Sequence, residues 1–266
     1  MKTIFLALGQ FSHYSDILRG RLIRELAECC RVVVLSPAID EEVALRDRYF
    51  AHRNVRYERL AVYRPRFWTI SDKYGRVPLV RGFDHLTYMR HFYQRPHHWA
   101  RKLLMRSRVL FPRSLFTTAR ITGWERRFAP ANKRFLELAE SERPDLLVTA
   151  TPGFTAFEAE CIIGAKRFGI PTAAVNINYD NLTSNGKMIR KTDYLAVWNE
   201  RMKQEALDLH AYPPERLAAV GCLRFDHYVT DPGEASFPSR EVFLRSKGLD
   251  PAKPTIVHAG PTPSNY

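Results

Sequence analysis

Cysteine is scarce in this 266-residue chain, which holds Cys29, Cys30, Cys161 and Cys222 and no others. No Cys-x-x-Cys pair occurs, and so no histidines follow one at zinc-finger spacing, which argues against a structural metal site or a disulfide framework. Oxidation chemistry at the vicinal Cys29-Cys30 pair stays open. Long apolar runs are missing too, since none approaches the roughly 20 residues needed to span a bilayer. Residues 1–8 look like the start of a signal peptide, but the polar stretch 9–16 cuts the apolar region to about half the usual length. The segment reads instead as a first strand. Glycine-rich phosphate loops are also lacking. After that strand stands Gly9 alone, and neither Gly-x-Gly-x-x-Gly nor Gly-x-x-x-x-Gly-Lys-Ser/Thr occurs, so these two cradles for dinucleotides and nucleoside triphosphates are absent.

What is present is an ordinary globular composition, 45% apolar and 26% charged, enough for a sizeable core. The formal charge of +13 is localised. Residues 64–127 hold fifteen Lys and Arg against Asp72, Asp84 and Glu125, which puts +12 of the +13 in that segment. Such a concentration points to an anionic partner: a membrane surface, a phosphorylated substrate or a nucleic acid.

Along the chain, residues 2–8 read as a buried strand. A helix follows with Leu18, Leu22, Leu26 and Cys29 on one face, behind a Ser15/Asp16 N-cap candidate, and then a strand at 31–35. A helix-like stretch at 40–51 and an alternating run at 55–62 extend this into half of a doubly wound sheet. From residue 64 the pattern changes: prolines interrupt it, and aromatics such as Phe67, Trp68, Tyr74 and Trp99 interleave with arginines. This is read as an insertion of short helices and loops, with a basic and apolar stretch at 99–111 suited to an interface.

Regular structure returns with Phe128, Ala131, Phe135 and Leu138 on one helical face. Strands are expected at 145–150, 171–177, 194–198 and 217–221, with helices after Gly153 and after Asn199, a plausible N-cap. Residues 224–238 read as a linker, followed by a short helix at 239–247 and a strand at 254–260. The expected fold is thus α/β, a Rossmann-like doubly wound and mostly parallel sheet with a basic aromatic helical insertion at 64–127. Residues 1–230 form the first domain, and residues 231–266 begin a second that is expected to continue past Tyr266.

In an open parallel sheet ligands bind just past the carboxyl ends of the strands. His13 falls at that edge after the first strand, where an imidazole can take a proton from a hydroxyl; the alternative is a loop histidine without a role. The loop residues Gly9, Gln10 and Ser12, and the turn Thr151-Pro-Gly153, precede helices whose free N–H groups favour anions, which makes them candidate substrate contacts. Asp180 and Asn181 lie past another strand. A carboxylate there can orient His13 or bind sugar hydroxyls, or the pair can be purely conformational. His85, His91, His97 and His98 lack paired spacing with carboxylates, so no metal is expected. Interleaved aromatics and arginines can stack single-stranded bases, but no nucleic-acid motif accompanies them and nucleic acid is not the expected partner.

Three stretches carry a resemblance. These are Tyr179-Asp-Asn-Leu-Thr-Ser-Asn-Gly-Lys187, then Tyr194-Leu-Ala-Val-Trp-Asn-Glu200 with Met202-Lys-Gln-Glu205, and finally the run from His210 through Ala219-Val-Gly-Cys-Leu-Arg-Phe-Asp226. They resemble the end of the N-terminal domain in bacterial two-Rossmann-domain (GT-B type) glycosyltransferases, above all surface-carbohydrate enzymes and the related glycerol-phosphate polymerases. The resemblance implies an acceptor-binding N-terminal domain and a nucleotide-sugar donor held mainly by a C-terminal domain, with no cofactor. His13 matches the acceptor-activating base by location, with Asp180 as a catalytic candidate beside it, and Gly260 and Thr262 fall where donor phosphates are touched.

The implied reaction is sugar transfer to a hydroxyl acceptor, lipid-linked or glycan, in cell-surface glycan or glycolipid synthesis. The implied location is cytoplasmic, against the inner face of an anionic membrane, with Trp99, Arg101, Lys102, Arg106 and Arg108 as membrane contacts. A glycerol-phosphate transferase on the same scaffold, and a non-catalytic module binding anionic lipid or nucleic acid, are the alternatives.

Overall fold

The computed structural model describes residues 1–63, 65–70, 127–184, 188, 190–226 and 238–258, with isolated positions between 99 and 124. Seven strands form one sheet: β1 (Lys2–Ala7), β2 (Cys30–Ser36), β3 (Val55–Arg59), β4 (Leu146–Thr149), β5 (Thr172–Val175), β6 (Tyr194–Val197) and β7 (Leu217–Ala219). Their order is β3-β2-β1-β4-β5-β6-β7, and every pairing is parallel. The chain winds outward from β1 to β3, returns to β4 on the other side of β1, and then winds outward again. The sheet therefore has its topological switch point between β1 and β4, where an open α/β sheet leaves a crevice at its carboxyl edge.

Strands buried on both faces read as unbroken apolar runs, and the central ones do so here. Ile4, Leu6, Val32, Val34 and Val148 pack on one face with Ile23 of α2 (Arg21–Cys29) and with Ile17 and Leu18. Phe5, Ala7, Val33, Leu35 and Leu147 pack on the other with α5 (Lys133–Glu142) and α6 (Ala156–Arg167). Phe5 meets Phe135 edge to face at 5.8 Å. The two helices approach closely because residue 164 is glycine: a Cβ there would lie 2.5 Å from the Phe135 ring.

Several local expectations shift. The helix expected to start at Ser15/Asp16 opens earlier, as a short turn α1 (Phe11–His13) running into a single π-helical turn (Tyr14–Leu18), and α2 starts anew after Gly20. Ile17 and Leu18 are fully buried, so core packing draws this segment inward and frees Asp16 from a capping role. The helix expected at 40–51 is the shorter α3 (Glu41–Arg46), capped by Asp40, whose side chain accepts from the Val43 N–H at 2.9 Å. The Asn199 cap forms as expected on α8 (Glu200–His210), accepting from the Met202 N–H at 3.0 Å.

α4 (Pro65–Ile70) opens the insertion. Its root is tied to a buried carboxylate of α6: Glu160 accepts from the Tyr63 N–H (2.8 Å), the Trp68 indole N–H (2.9 Å) and the Asn132 amide (3.1 Å). Most of the insertion, with Arg101, Lys102, Arg106 and Arg108, lies outside the described residues. Trp99 and Leu103, which are described, are 72% and 61% exposed.

The chain divides into two compact units, Met1–Asp226 and His227–Tyr266. In the second, α9 (Arg240–Ser246) is capped by Ser239, and Arg240 donates to the carbonyls of Pro251 and Lys253. The expected strand at 254–260 does not form over residues 254–258, where Ile256 is 94% exposed. A strand needs a partner for its backbone N–H and C=O groups, and none stands beside this segment among the described residues. Gly260 and Thr262 lie outside the described residues.

Candidate active site

The first loop of the chain and the loop after β4 meet at the switch point. Gly9, just past β1, passes so near Thr155 that a Cβ on it would lie 2.3 Å from the threonine hydroxyl. Gln10 ends the loop in extended backbone, and its carbonyl accepts from the His13 N–H at 3.0 Å. That turn directs His13 inward, leaving it 1% exposed, while Ser12 beside it is half-buried. His13 Nδ1 lies 3.3 Å from Glu158 Oε1, an ion-pair distance without hydrogen-bond alignment.

Glu158 is fully buried in the first turn of α6 and is surrounded by donors. The N–H groups of Ala150 and Thr151 reach Oε1 at 3.1 and 3.2 Å, the Thr155 hydroxyl reaches Oε2 at 3.0 Å, and the Thr151 hydroxyl also bonds Oε2. Four donors and no competing acceptor are the surroundings of an anion, and they lock both carboxylate oxygens. Thr149 stiffens the loop by donating to the Thr151 carbonyl at 2.7 Å. Gly153 holds a φ of +81°, open to glycine with little strain, and Arg190 donates to its carbonyl at 2.9 Å while stacking 4.3 Å from the Trp68 ring.

The consequence for His13 is directional. With a carboxylate oxygen nearest Nδ1, we assign the proton of the neutral ring to Nδ1, which leaves the Nε2 lone pair for another proton. Among the described residues Nε2 has no hydrogen-bond partner. Nearby, Tyr14 accepts from the buried Ser36 hydroxyl at 2.9 Å, and burial pushes its phenol above the ordinary tyrosine value despite that bond.

A second polar cluster lies past β5, β6 and β7. Arg224 grips Asp16 through Nη2 at 2.6 Å and Nε at 3.2 Å and also donates to Asn178 Oδ1 at 3.2 Å. The Asp16 carboxylate holds the Arg224 guanidinium above its ordinary value. Asn181 is buried and donates to Asn176 Oδ1 at 3.0 Å, while Asp180 accepts from the Ser184 hydroxyl at 3.1 Å within α7 (Asn181–Ser184).

Of the residues singled out from sequence, Gly9, Gln10, Ser12, His13, Thr151 and Gly153 thus gather around β1 and β4. Asp180 and Asn181 sit further along the same edge, and among the described residues no hydrogen bond or ion pair joins either to His13. The carboxylate beside His13 is Glu158, which sequence reading passed over. Its signal was Thr155-Ala-Phe-Glu158, a capping box at the start of an apolar helix, a pattern that reads as local capping alone. Among the described residues no group of three metal-ligating side chains occurs, and no helix is long and apolar enough to cross a membrane.

No family model and no curated protein matches the sequence. Solved structures do match. One is the UDP-N-acetylglucosamine 2-epimerase from Rickettsia bellii, 12% identical over 94% of this chain and 52% of that one, with a TM-score of 0.48. Another is the UDP-GlcNAc 2-epimerase from Neisseria meningitidis bound to UDP-GlcNAc, at 10% identity over 92% and 53%, with a TM-score of 0.46. A third is a glycosyltransferase from Rickettsia africae ESF-5, at 9% identity over 94% and 50%, with a TM-score of 0.41. The chain spans about half the length of each. Likenesses this distant say nothing of activity; the chain's own strand order and parallel pairing make it an α/β Rossmann-like fold.

Proposed function

We propose that this chain is the acceptor-activating part of a glycosyltransferase that moves a sugar from a nucleotide-sugar to a hydroxyl acceptor in surface glycan or glycolipid synthesis. The observation that carries the reading is the buried His13–Glu158 pair at the switch point, in which Nε2 has no hydrogen-bond partner among the described residues. In the reaction the acceptor O–H gives its proton to His13 Nε2 as its oxygen bonds the anomeric carbon. The bond from that carbon to the donor's phosphate oxygen breaks, and its electron pair leaves with the nucleotide. Glu158 contributes by holding the ring and by stabilising the imidazolium that forms.

The basic insertion fits the same reading. With +12 of the formal charge in residues 64–127 and Trp99 exposed, it would hold the enzyme at the inner face of an anionic membrane, where a lipid-linked acceptor is met. The test is donor turnover by the full-length protein across a panel of nucleotide-sugars, with and without His13→Ala. Consumption of a nucleotide-sugar that collapses in the variant is the expected result. Consumption of an activated glycerol-phosphate donor instead would move the chain to the other transferase class.

A further inference from the structure

The carboxyl edge holds a second feature that proton transfer does not use. Three adjacent strands each deliver one aromatic ring just past their ends: Tyr179 after β5, Trp198 after β6 and Phe225 after β7. Both flanking rings pack against Trp198, Tyr179 at 6.3 Å between centroids and tilted by 51°, Phe225 at 5.8 Å and tilted by 61°. Trp198 is half-buried and pinned by its indole N–H, which donates to the Asn176 carbonyl at 2.7 Å. The flanking rings are not core: Tyr179 is 71% exposed and Phe225 51%.

We infer that Tyr179, Trp198 and Phe225 form a platform for a neutral sugar ring of the acceptor, an assignment that rests on the transferase reading above. Aromatic faces carry a negative quadrupole, and the C–H groups on one side of a pyranose present the complementary partial positive charge. The polar groups around the shelf suit hydroxyls. Arg224 and Asp16 form a part-exposed pair, Arg224 being 40% exposed, and among the described residues the Arg224 Nη1 makes no hydrogen bond. Asp16 pairs with Arg224, so these two side chains add no net charge beside the rings, which suits an uncharged polyol.

The test is saturation-transfer NMR on the full-length protein with cellotetraose, chitotetraose and β-1,4-galactotetraose, and with uridine and UMP as competitors. At least one tetrasaccharide should receive saturation at its ring C–H protons. Tyr179→Ala and Phe225→Ala should each weaken its dissociation constant tenfold or more, with unchanged circular dichroism because both rings are exposed. His13→Ala should leave that binding intact. Failure of all three sugars to bind, binding that both aromatic variants retain, or loss of uridine binding instead of sugar binding would overturn the platform. If sugar binding depends on Tyr179 while His13→Ala leaves transfer unchanged, the platform stands and the proposed base fails; the converse pattern removes the platform alone.

Discussion

Among the described residues two histidines are buried to nearly the same degree, His13 at 1% exposure and His210 at 0%, and their hydrogen bonding is opposite. His210, at the end of α8, accepts the Met188 N–H on Nδ1 at 3.1 Å and donates from Nε2 to the Leu182 carbonyl at 2.7 Å. Both nitrogens are committed to backbone, so the ring is a neutral pin between α8 and the segment around α7. His13 sets Nδ1 3.3 Å from a carboxylate without hydrogen-bond alignment, and neither of its nitrogens has a hydrogen-bond partner among the described residues. Burial alone does not separate a pinned histidine from one left to take a proton; the bonds of its two nitrogens do.

The contrast is sharpest in turnover. On the proposed reaction, His13→Ala should lower turnover by roughly two to four orders of magnitude while thermal unfolding changes little. His210→Ala should act the other way, costing about 1–3 kcal/mol for each backbone group left unpaired, seen as a drop in Tm, with turnover per folded molecule kept. If the two variants behave alike, the distinction fails.

The glutamates of α6 extend the comparison. Glu158→Gln puts an amide N–H₂ where four donors point, and it removes the anion behind His13, so turnover should fall by about two orders of magnitude. Among the described residues Glu160 accepts from Tyr63, Trp68 and Asn132, so the effect of Glu160→Gln should appear as faster proteolysis near Tyr63 and Asn132, with kcat little changed. A shared loss of kcat would mean that the insertion shapes the site directly.

The insertion itself can be set against the rest of the chain by cosedimentation. Binding to anionic but not neutral vesicles at low salt is expected, at about 1 kcal/mol per basic residue near the surface, and deletion of residues 71–126 should abolish it. Equal binding to both vesicle types, or none, would sink the membrane role.

The smallest effect concerns the thiols. Cys161 is fully buried, and burial, with Glu160 and Glu158 adding to it, pushes its pKa well above the ordinary thiol value, so the neutral thiol persists as pH rises past 8. Cys29 is exposed. Ellman's reagent at about pH 8 should therefore titrate Cys29 promptly and reach Cys161 only in denaturant. Prompt reaction of Cys161 in the native state would show that the core around α6 opens easily.

Much of the fold was legible because its signals are local. The apolar runs Ile4 to Leu8 and Val32 to Leu35, the Asn199 cap, and Phe135 and Leu138 each depend on a few neighbouring residues and appear where periodicity places them, whereas Phe128 and Ala131, expected on the same helical face, lie outside α5, which starts at Lys133, and Phe128 is 69% exposed. Where neighbours did not decide, the reading drifted. Asp16 has the chemistry of an N-cap, yet packing of Ile17 and Leu18 moved the helix start and left its carboxylate for Arg224. Residues 254–258 have strand composition, yet they gain no ladder because the partner a strand requires is not in the local sequence.

The site divides in the same way. That His13 lies past a strand end and that a helix follows Gly153 can be read from short-range pattern and side-chain chemistry alone. Only the tertiary structure decided that residue 13 meets residue 158. That meeting depends on β4 returning to pair with β1 and not with β3, and on Gly9 letting the two loops touch. Strand order is set by which long-range pairings bury the most apolar surface under right-handed crossovers, a property of the whole chain that no window of neighbouring residues contains.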